Sequence, residues 1–264
     1  MPEGHTIHRA ARRLRSVLQG NRLERVQARG QHLVSAKAEQ RLLGATVTDV
    51  EAIGKHLLVH TDRGWSVHSH LRMDGVWHLY RRGERWRKSR RRAWLVLGSG
   101  QWDAVEFDGP ILEIHPTDEL LRSRVLTDLG PDVLVDPFDD ADYVRRMRRD
   151  PDRELGDAIM DQRNVAGIGN IYKAESLFMA GVNPWRRMRD VSDEQLLAIR
   201  EVATRIMHDG VLDARAITFK GPGPPGQWAY GRVGQPCRRC GTPIEARAQG
   251  ENQRVTFWCP VCQA

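Results

Sequence analysis

The chain has 264 residues, a formal net charge of +7 and a sequence pI near 9.6. Its 40% hydrophobic and 28% charged content fits a soluble globular protein of one large or two ordinary domains. No apolar stretch is long enough to cross a bilayer, and the N-terminus lacks the apolar run of a secretory signal, so a cytoplasmic location is expected. The basic excess favours a polyanionic partner such as nucleic acid, with a membrane surface or general solubility as alternatives.

The first predicted element is an amphipathic helix over residues 2–19. Pro2 suits its first turn, and Gly20 suits its C-terminal stop. Apolar residues recur along one face at helical spacing, namely Ile7, Ala11, Leu14 and Leu18.

From about residue 22 to 115 the pattern changes to short alternating segments bounded by Gly, Asp or Pro, which are typical of strands. The clearest segments are 45–50, 56–60, 65–70, 94–97 and 111–114. Many short strands around a two-layer core predict a β-sandwich. The arginine-rich run from Arg81 to Arg92 predicts a solvated, mobile loop.

The second half of the chain is predicted to be helical. Residues 130–142 read as a linker, helical periodicity follows to about Gly210, and the Gly-Pro-Gly-Pro-Pro-Gly run at 221–226 predicts a loop. The expected fold class is α+β. The expected domains are a helix and sandwich (1–130), a helical domain (131–228) and a cysteine-containing module (229–264).

Four cysteines near the C-terminus form two Cys-x-x-Cys pairs separated by eighteen residues: Cys237, Cys240, Cys259 and Cys262. Such pairs predict one zinc ion held by four thiolates, and it is structural because no position stays open for water. Four unrelated buried cysteines are the alternative. Confinement to the last 28 residues favours metal binding in a reducing cytosol over disulfides. Residues 253–258 between the pairs predict a hairpin arm, with Arg254 near its tip facing a phosphate.

The segment Val165-Ala-Gly-Ile-Gly169 predicts the end of one helix and the start of another. Asn170 then lies at a helix N-terminus, where N–H groups favour an anion such as phosphate. The alternative is an ordinary αα-hairpin.

The N-terminus carries a second candidate for chemistry. With Met1 removed, Pro2 has a secondary amine that can attack a sugar C1′ and form an iminium. Glu3, one residue away, can protonate the opened ring oxygen. An ordinary helix start, where proline and acids are favoured, is the alternative.

Taken in order along the whole chain, five motifs resemble those of the formamidopyrimidine-DNA glycosylase and endonuclease VIII family. They are Met-Pro-Glu-Gly at 1–4, Gly54-Lys55-His56, His70-Leu-Arg-Met73, the hinge at 167–172 and the terminal zinc finger. The resemblance implies an N-terminal helix and β-sandwich, then a helix–two-turn–helix domain with the finger, and DNA in the cleft between them. It also implies a bifunctional DNA glycosylase and AP lyase that binds damaged double-stranded DNA, expected as a monomer located at the nucleoid when bound.

By motif match, the resemblance makes Pro2 the nucleophile and Glu3 the general acid. Lys55 is expected to assist elimination and contact phosphate. Arg254 is expected to act both in catalysis and in DNA binding. Three further residues are expected to bind DNA: His70 and Asn170 at phosphates, and Met73 as the wedge that fills the stack when a nucleotide is flipped out.

Two departures from the family pattern bear on specificity. Thr6 stands where the family usually has a second glutamate, and 106–111 does not match the Arg and Phe loop of the formamidopyrimidine branch. These features favour the endonuclease VIII branch and oxidised pyrimidines. A catalytically impaired DNA-binding protein on the same scaffold is the alternative, and a zinc-ribbon protein-interaction module is a weaker one. The presence of Pro2, Glu3 and Lys55 together favours the enzyme.

Overall fold

The computed structural model describes residues 2–29, 31–213 and 216–264. The chain divides into two compact units. The first holds Pro2 and Thr6–Asp128, and the second holds Glu3–His5 and Leu129–Ala264. Each unit has its own apolar core.

Helix α1 spans Gly4–Leu18, so it starts two residues later than predicted and Pro2 precedes it. The backbone N–H of Gly4 donates to the carbonyl of Gly167 at 2.9 Å, a tertiary contact that propensity at the N-terminus cannot reveal. The predicted apolar face of α1 is confirmed, since Ile7 and Leu18 are fully buried.

Within its described residues, the first unit contains eight strands in two four-stranded antiparallel sheets. In chain order they are β1 Arg25–Ala28, β2 Val47–Ile53, β3 His56–Thr61, β4 Trp65–His70, β5 Val76–Arg81, β6 Ala93–Ser99, β7 Trp102–Phe107 and β8 Ile111–Pro116. One sheet has the order β1-β6-β7-β5 and the other β2-β3-β4-β8. Four short helices complete the unit: α2 Gln31–Ser35, α3 Ala38–Leu42, α4 Thr117–Leu121 and α5 Arg124–Thr127.

The core of the first unit follows from the alternation of side chains between the two faces of each strand. Leu57 and Val59 of β3 and Val67 of β4 point to one face and are fully buried with Leu95 and Leu97 of β6. The predicted β-sandwich is therefore confirmed.

The predicted loop at Arg81–Arg92 has mostly exposed arginines, but it is anchored at its centre. Trp86 stacks on Tyr80 with ring centroids 5.8 Å apart, and Lys88 pairs with Asp108 at 3.0 Å. The description as a simply solvated loop is wrong at Trp86, because this ring is partly buried against the rings of Tyr80 and Phe107.

The second unit is helical and ends in a hairpin. Its elements are α6 Asp140–Met147, α7 Leu155–Ala158, α8 Asn170–Ala180, α9 Asp193–Asp213, β9 Glu245–Gln249 and β10 Arg254–Trp258. Strands β9 and β10 pair antiparallel, which confirms the predicted hairpin arm. Helix α9 runs three residues beyond the predicted end at Gly210.

The interpretation of residues 130–142 as a linker is wrong for most of that stretch. Val133 and Leu134 are buried in the core of the second unit, and α6 already begins at Asp140. The Asp139 side chain caps that helix by accepting the N–H of Asp142 at 2.9 Å. The acidic composition reflects helix capping rather than a connecting segment. In the part of the chain that the structure describes, no helix has the length and apolarity needed to cross a membrane.

Candidate active site

The carboxylate of Glu3 lies at the N-terminus of helix α8. It accepts backbone N–H groups from Gly169 at 3.1 Å, Ile171 at 2.7 Å and Tyr172 at 3.3 Å. Glu3 is fully buried. The first N–H groups of a helix have no partner within the helix and carry partial positive charge, so a carboxylate is favoured here.

Glycines make room for this carboxylate. Gly167 has φ +98°, a left-handed conformation that other residues rarely adopt. A Cβ on Gly169 would lie 2.3 Å from Cδ of Glu3, so only glycine permits the approach. The hinge motif is therefore shaped to receive Glu3.

The sequence indicated an anion at this helix N-terminus and proposed an external phosphate. Three of the N–H groups at this helix end bind the carboxylate of Glu3, so the chain supplies one anion itself. The phosphate contact of Asn170 stays a prediction.

Asn170, the first residue of α8, joins that helix to the hairpin arm. Its side-chain amide donates to the carbonyl of Val255 at 2.8 Å, and the residue is buried. Arg254 directly precedes Val255 at the start of β10, and its side chain is exposed. Asn170 thus fixes the strand on which Arg254 is presented.

Lys173 also connects helix α8 to strand β10, a contact that the sequence did not predict. Its ammonium donates to Oγ1 of Thr256 at 2.7 Å, and Thr256 donates to the side chain of Gln249 at 2.7 Å. Lys173 is only 1% exposed, and burial lowers its pKa to about 8. A lysine three residues after Asn170 lies on the same helix face, but its burial depends on contact with a strand more than eighty positions away.

In the first unit, Lys55 and His70 lie at the same end of the sheet β2-β3-β4-β8, where β3 begins and β4 ends. Lys55 follows Gly54, which turns the chain between β2 and β3 with φ +60°. His70 ends β4, and its Nδ1 accepts the backbone N–H of Arg72 at 3.2 Å. Burial first, then the positive charges of Arg72 and Lys55, lower the pKa of His70 to about 4. The structure therefore brings these two predicted residues together.

Met73 lies in the turn after β4 and is 58% exposed. The common alternative for a methionine, burial in the core, is excluded. Arg72 beside it has φ +48°, so the turn holds a strained backbone. An exposed thioether on such a turn is suited to insertion into an apolar environment.

Thr6, at the position of the family's second glutamate, lines a pocket of about 210 Å³ in the first unit. Its walls include the basic side chains Arg9, Arg13 and Arg87 and the rings of Trp77 and His78. Hydrogen-bond donors dominate its polar lining, whereas a glutamate at residue 6 would have added an acceptor.

The segment 106–111, which departs from the formamidopyrimidine branch, is built around acidic groups. Asp108 has φ +57° and pairs with Arg92 at 2.7 Å and with Lys88 at 3.0 Å. Glu106 is fully buried, and burial raises its pKa to about 8. The segment therefore binds the arginine-rich loop, a different use from presenting an arginine and a phenylalanine.

The four cysteine sulfurs lie within 4.8 Å of one another, and the thiols are free. The Sγ atoms of Cys237 and Cys262 are 3.9 Å apart, and those of Cys240 and Cys259 are 3.5 Å apart. Tetrahedral zinc with Zn–S bonds of about 2.3 Å places sulfurs about 3.8 Å apart. The residues therefore fit one zinc ion.

Family models match all three parts of the chain. Residues 1–108 match the formamidopyrimidine-DNA glycosylase N-terminal domain, and residues 129–220 match the formamidopyrimidine-DNA glycosylase H2TH domain. Residues 234–264 match the zinc finger found in FPG and IleRS. The chain belongs to the formamidopyrimidine-DNA glycosylase and endonuclease VIII family.

Individual relatives agree with this assignment. A probable endonuclease 8 2 of Streptomyces coelicolor is 39% identical over 100% of this chain and 94% of its own length. The DNA-(apurinic or apyrimidinic site) lyase Nei2 of Mycolicibacterium smegmatis is 35% identical over 100% of this chain and 99% of its own length. A Lactococcus lactis Fpg complex with DNA has a TM-score of 0.82 at 23% identity, covering 99% of each chain, and this likeness concerns the fold.

As a member of the glycosylase family, the chain is a bifunctional DNA glycosylase and lyase, and its cysteine cluster is a structural zinc finger. The predicted α+β fold class is confirmed. The individual roles of Pro2, Glu3, Lys55 and the DNA-binding residues stay predictions, as do the boundaries 1–130, 131–228 and 229–264.

Proposed function

We propose that this enzyme excises oxidised pyrimidines from double-stranded DNA through a Schiff base at the Pro2 amine, and then cleaves the strand by elimination. The observation that carries the proposal is the placement of Glu3. Its carboxylate is buried and held by three N–H groups of the α8 N-terminus, and Pro2 is the residue peptide-bonded to it. Pro2 itself lies outside the helix and is half-buried.

The first step joins the enzyme to the sugar. With Met1 removed, the lone pair of the Pro2 nitrogen attacks C1′, the bond from C1′ to the damaged base breaks, and the proton lost from the Pro2 nitrogen is taken up by the departing base. Glu3 delivers a proton to the ring oxygen O4′ as the C1′–O4′ bond opens, and a C1′ iminium forms. Rigid anchoring of Glu3 supports this role, because proton transfer requires a donor at a fixed position.

The second step cleaves the strand. The iminium makes the C2′ proton acidic. Its loss drives β-elimination, which breaks the bond from C3′ to the phosphate oxygen. The reaction either stops at this β-elimination or continues by δ-elimination at C4′, which breaks the C5′–oxygen bond in the same way. Lys55 assists this step as a cation beside the departing phosphate. Hydrolysis of the iminium then frees Pro2.

DNA binding is proposed to involve phosphate contacts from Lys55, His70, Asn170 and Arg254. The exposed side chain of Arg254 and the position of Lys55 on a turn suit such contacts. Because Nδ1 of His70 accepts a backbone N–H, the neutral ring carries its proton on Nε2, which can donate to a phosphate oxygen. The enzyme is proposed to act as a monomer.

Two observations support oxidised pyrimidines as substrates. The relatives at 39% and 35% identity carry endonuclease 8 and Nei2 names. In addition, residues 106–111 form ion pairs with the arginine-rich loop. Duplexes that differ only in carrying a thymine glycol, a 5-hydroxycytosine or an 8-oxoguanine test the preference. Faster single-turnover excision of 8-oxoguanine than of both pyrimidines would contradict it.

The nucleophile is tested by borohydride trapping on abasic DNA. The chain is prepared with a removable N-terminal extension, so that the blocked and the free Pro2 forms are the same polypeptide before and after cleavage of the extension. Covalent trapping is expected only after cleavage, while DNA affinity stays within about twofold, since the extension leaves phosphate contacts in place. Pro2→Ala is compared with Thr6→Ala, a matched change at the same end of the chain. Loss of trapping in Pro2→Ala alone would show that the proline itself is required. Equal trapping in the blocked form would rule out the Pro2 amine.

A further inference from the structure

The sheet β2-β3-β4-β8 carries a row of histidines and a carboxylate on the face opposite its apolar core. His68 of β4 pairs directly with Glu113 of β8, and His115 follows two residues later on the same strand. Side chains two apart on a strand share a face, so the register alone brings these three together. Val67 and Ile114, which are their neighbours along the two strands, point to the core instead.

The three side chains direct their polar atoms to one point. Nδ1 of His68 is 3.5 Å from Oε2 of Glu113, and Nε2 of His115 is 3.2 Å from the same oxygen. All three ligand atoms lie within 4.8 Å of one another. A divalent ion with bonds of about 2.1 Å needs ligand atoms about 3.0 Å apart in octahedral and about 3.4 Å apart in tetrahedral geometry.

A second layer of contacts orients the cluster. Nε2 of His68 lies 2.8 Å from Nδ1 of His56, and His68 is only 2% exposed. Histidines that ligate metals usually donate their other ring N–H to such a partner, which fixes the tautomer. Glu113 and His115 are each 39% exposed, so an ion can reach the cluster from solvent.

We propose that His68, Glu113 and His115 form a second metal site, separate from the zinc finger, for a divalent transition-metal ion of the Zn²⁺, Co²⁺ and Ni²⁺ class. Two imidazoles and one carboxylate favour these ions over Mg²⁺, which prefers oxygen ligands. Three protein ligands leave positions open for water or for an oxygen of an anionic ligand.

Occupancy has a consequence for the neighbouring histidines. When Nδ1 of His68 carries the proton, it faces Oε2 of Glu113, and Nε2 accepts from Nδ1–H of His56. An ion on Nδ1 reverses this bond, and His68 Nε2–H then donates to Nδ1 of His56. The ring of His56 contacts that of His70 edge to face, with centroids 4.8 Å apart. The metal therefore sets the tautomer of a residue that touches His70.

Cobalt titration of the zinc-loaded full chain tests the proposal, because the finger is already occupied. One additional Co²⁺ per chain is expected, with weak visible ligand-field bands and without the near-ultraviolet charge-transfer band of a thiolate. His115→Ala and Glu113→Gln each remove one ligand from a partly exposed position, and each is expected to weaken Co²⁺ binding at least about tenfold. His32→Ala removes an exposed histidine of α2 and is the matched control with unchanged binding.

Three outcomes would overturn the proposal. They are absence of Co²⁺ binding beyond the finger, wild-type affinity in both ligand variants, and displacement of Co²⁺ by an equal concentration of Mg²⁺. Thermal unfolding of each variant without added metal verifies that it is folded. A rise in melting temperature with Co²⁺ that is present in wild type and lost in His115→Ala supports the site independently of any activity.

Discussion

The carboxylate of Glu3 accepts the backbone N–H of Ile171 at 2.7 Å, although 168 positions separate the two residues. This bond connects the segment that directly precedes helix α1 to the start of helix α8. The hinge glycines and the N-terminal motif are therefore one structural feature, since Gly169 leaves the space that Glu3 fills.

Glu3→Gln is expected to lower stability and abolish excision. An amide presents one acceptor oxygen and an NH₂ group to N–H donors, which costs about 1–3 kcal/mol of unfolding free energy. Glu175→Gln is a matched control, because buried Glu175 also accepts three backbone N–H groups, from Trp228, Ala229 and Tyr230. Both variants are expected to unfold at lower denaturant concentration. Only Glu3→Gln is expected to lose single-turnover excision while still folded, and equal loss in both would contradict a chemical role.

Arg254→Ala is expected to weaken binding to damaged and undamaged duplexes alike. Loss of one phosphate contact makes the slope of log affinity against log salt shallower by about one unit. Arg247→Ala removes the same charge from the adjacent strand, where Arg247 stacks on Trp185. If both variants change the slope equally, the effect is one of net charge and Arg254 makes no specific contact.

Met73→Ala is expected to keep the wild-type salt slope, because no charge is removed. Flipping a nucleotide costs a few kcal/mol of unstacking, which the wedge offsets in part. Loss of about 1.4 kcal/mol of that compensation slows excision about tenfold. Leu121→Ala removes another exposed apolar side chain from the first unit and serves as the control. Normal single-turnover excision by Met73→Ala would exclude the wedge role.

Lys173→Met is expected to change how stability depends on pH. Burial, reinforced by the charge of Arg254 and opposed by Asp157 and Glu3, lowers the pKa of Lys173 from its ordinary 10.5 to about 8. Between these values the unfolded chain binds more protons than the folded one, so the free energy of unfolding rises with pH. The rise is about 3 kcal/mol across the window.

Urea unfolding between pH 8 and 10.5 measures this effect as the difference between wild type and variant. Lys173→Met is expected to lack the rise, whereas Lys220→Met, at an exposed position, is expected to keep it. A parallel pH dependence in wild type and Lys173→Met would show that Lys173 titrates normally in the folded protein.

Cys240→Ser is expected to reduce zinc from one ion per chain to a small fraction of that. The cysteine cluster is small, so metal binding supplies much of its folding energy. The hairpin of β9 and β10 is then expected to loosen, and DNA affinity to fall with it because Arg254 begins β10. Metal analysis and proteolysis near residue 250 provide the readouts. Full zinc content in the variant would contradict four-cysteine ligation.

Features that depend on local spacing were predictable from the sequence. Two Cys-x-x-Cys pairs predicted the finger, alternation of apolar and polar residues predicted the strands, and Gly167 and Gly169 predicted the hinge. The order of the motifs along the chain indicated the family. Metal ligation, strand alternation and the hinge turn each depend on residues a few positions apart. A regular spacing in the sequence is therefore enough to predict them.

Which groups meet across long separations depends on the packing of whole elements. The tertiary structure places Glu3 at the α8 N-terminus, buries Lys173 against Thr256, and joins Asp108 to the arginine-rich loop. It also aligned His68 with Glu113 through strand register. The energies of these contacts depend on burial and on distances of about 3 Å, at which hydrogen bonds form. Such distances arise from packing of whole elements, and no local pattern in the chain encodes them.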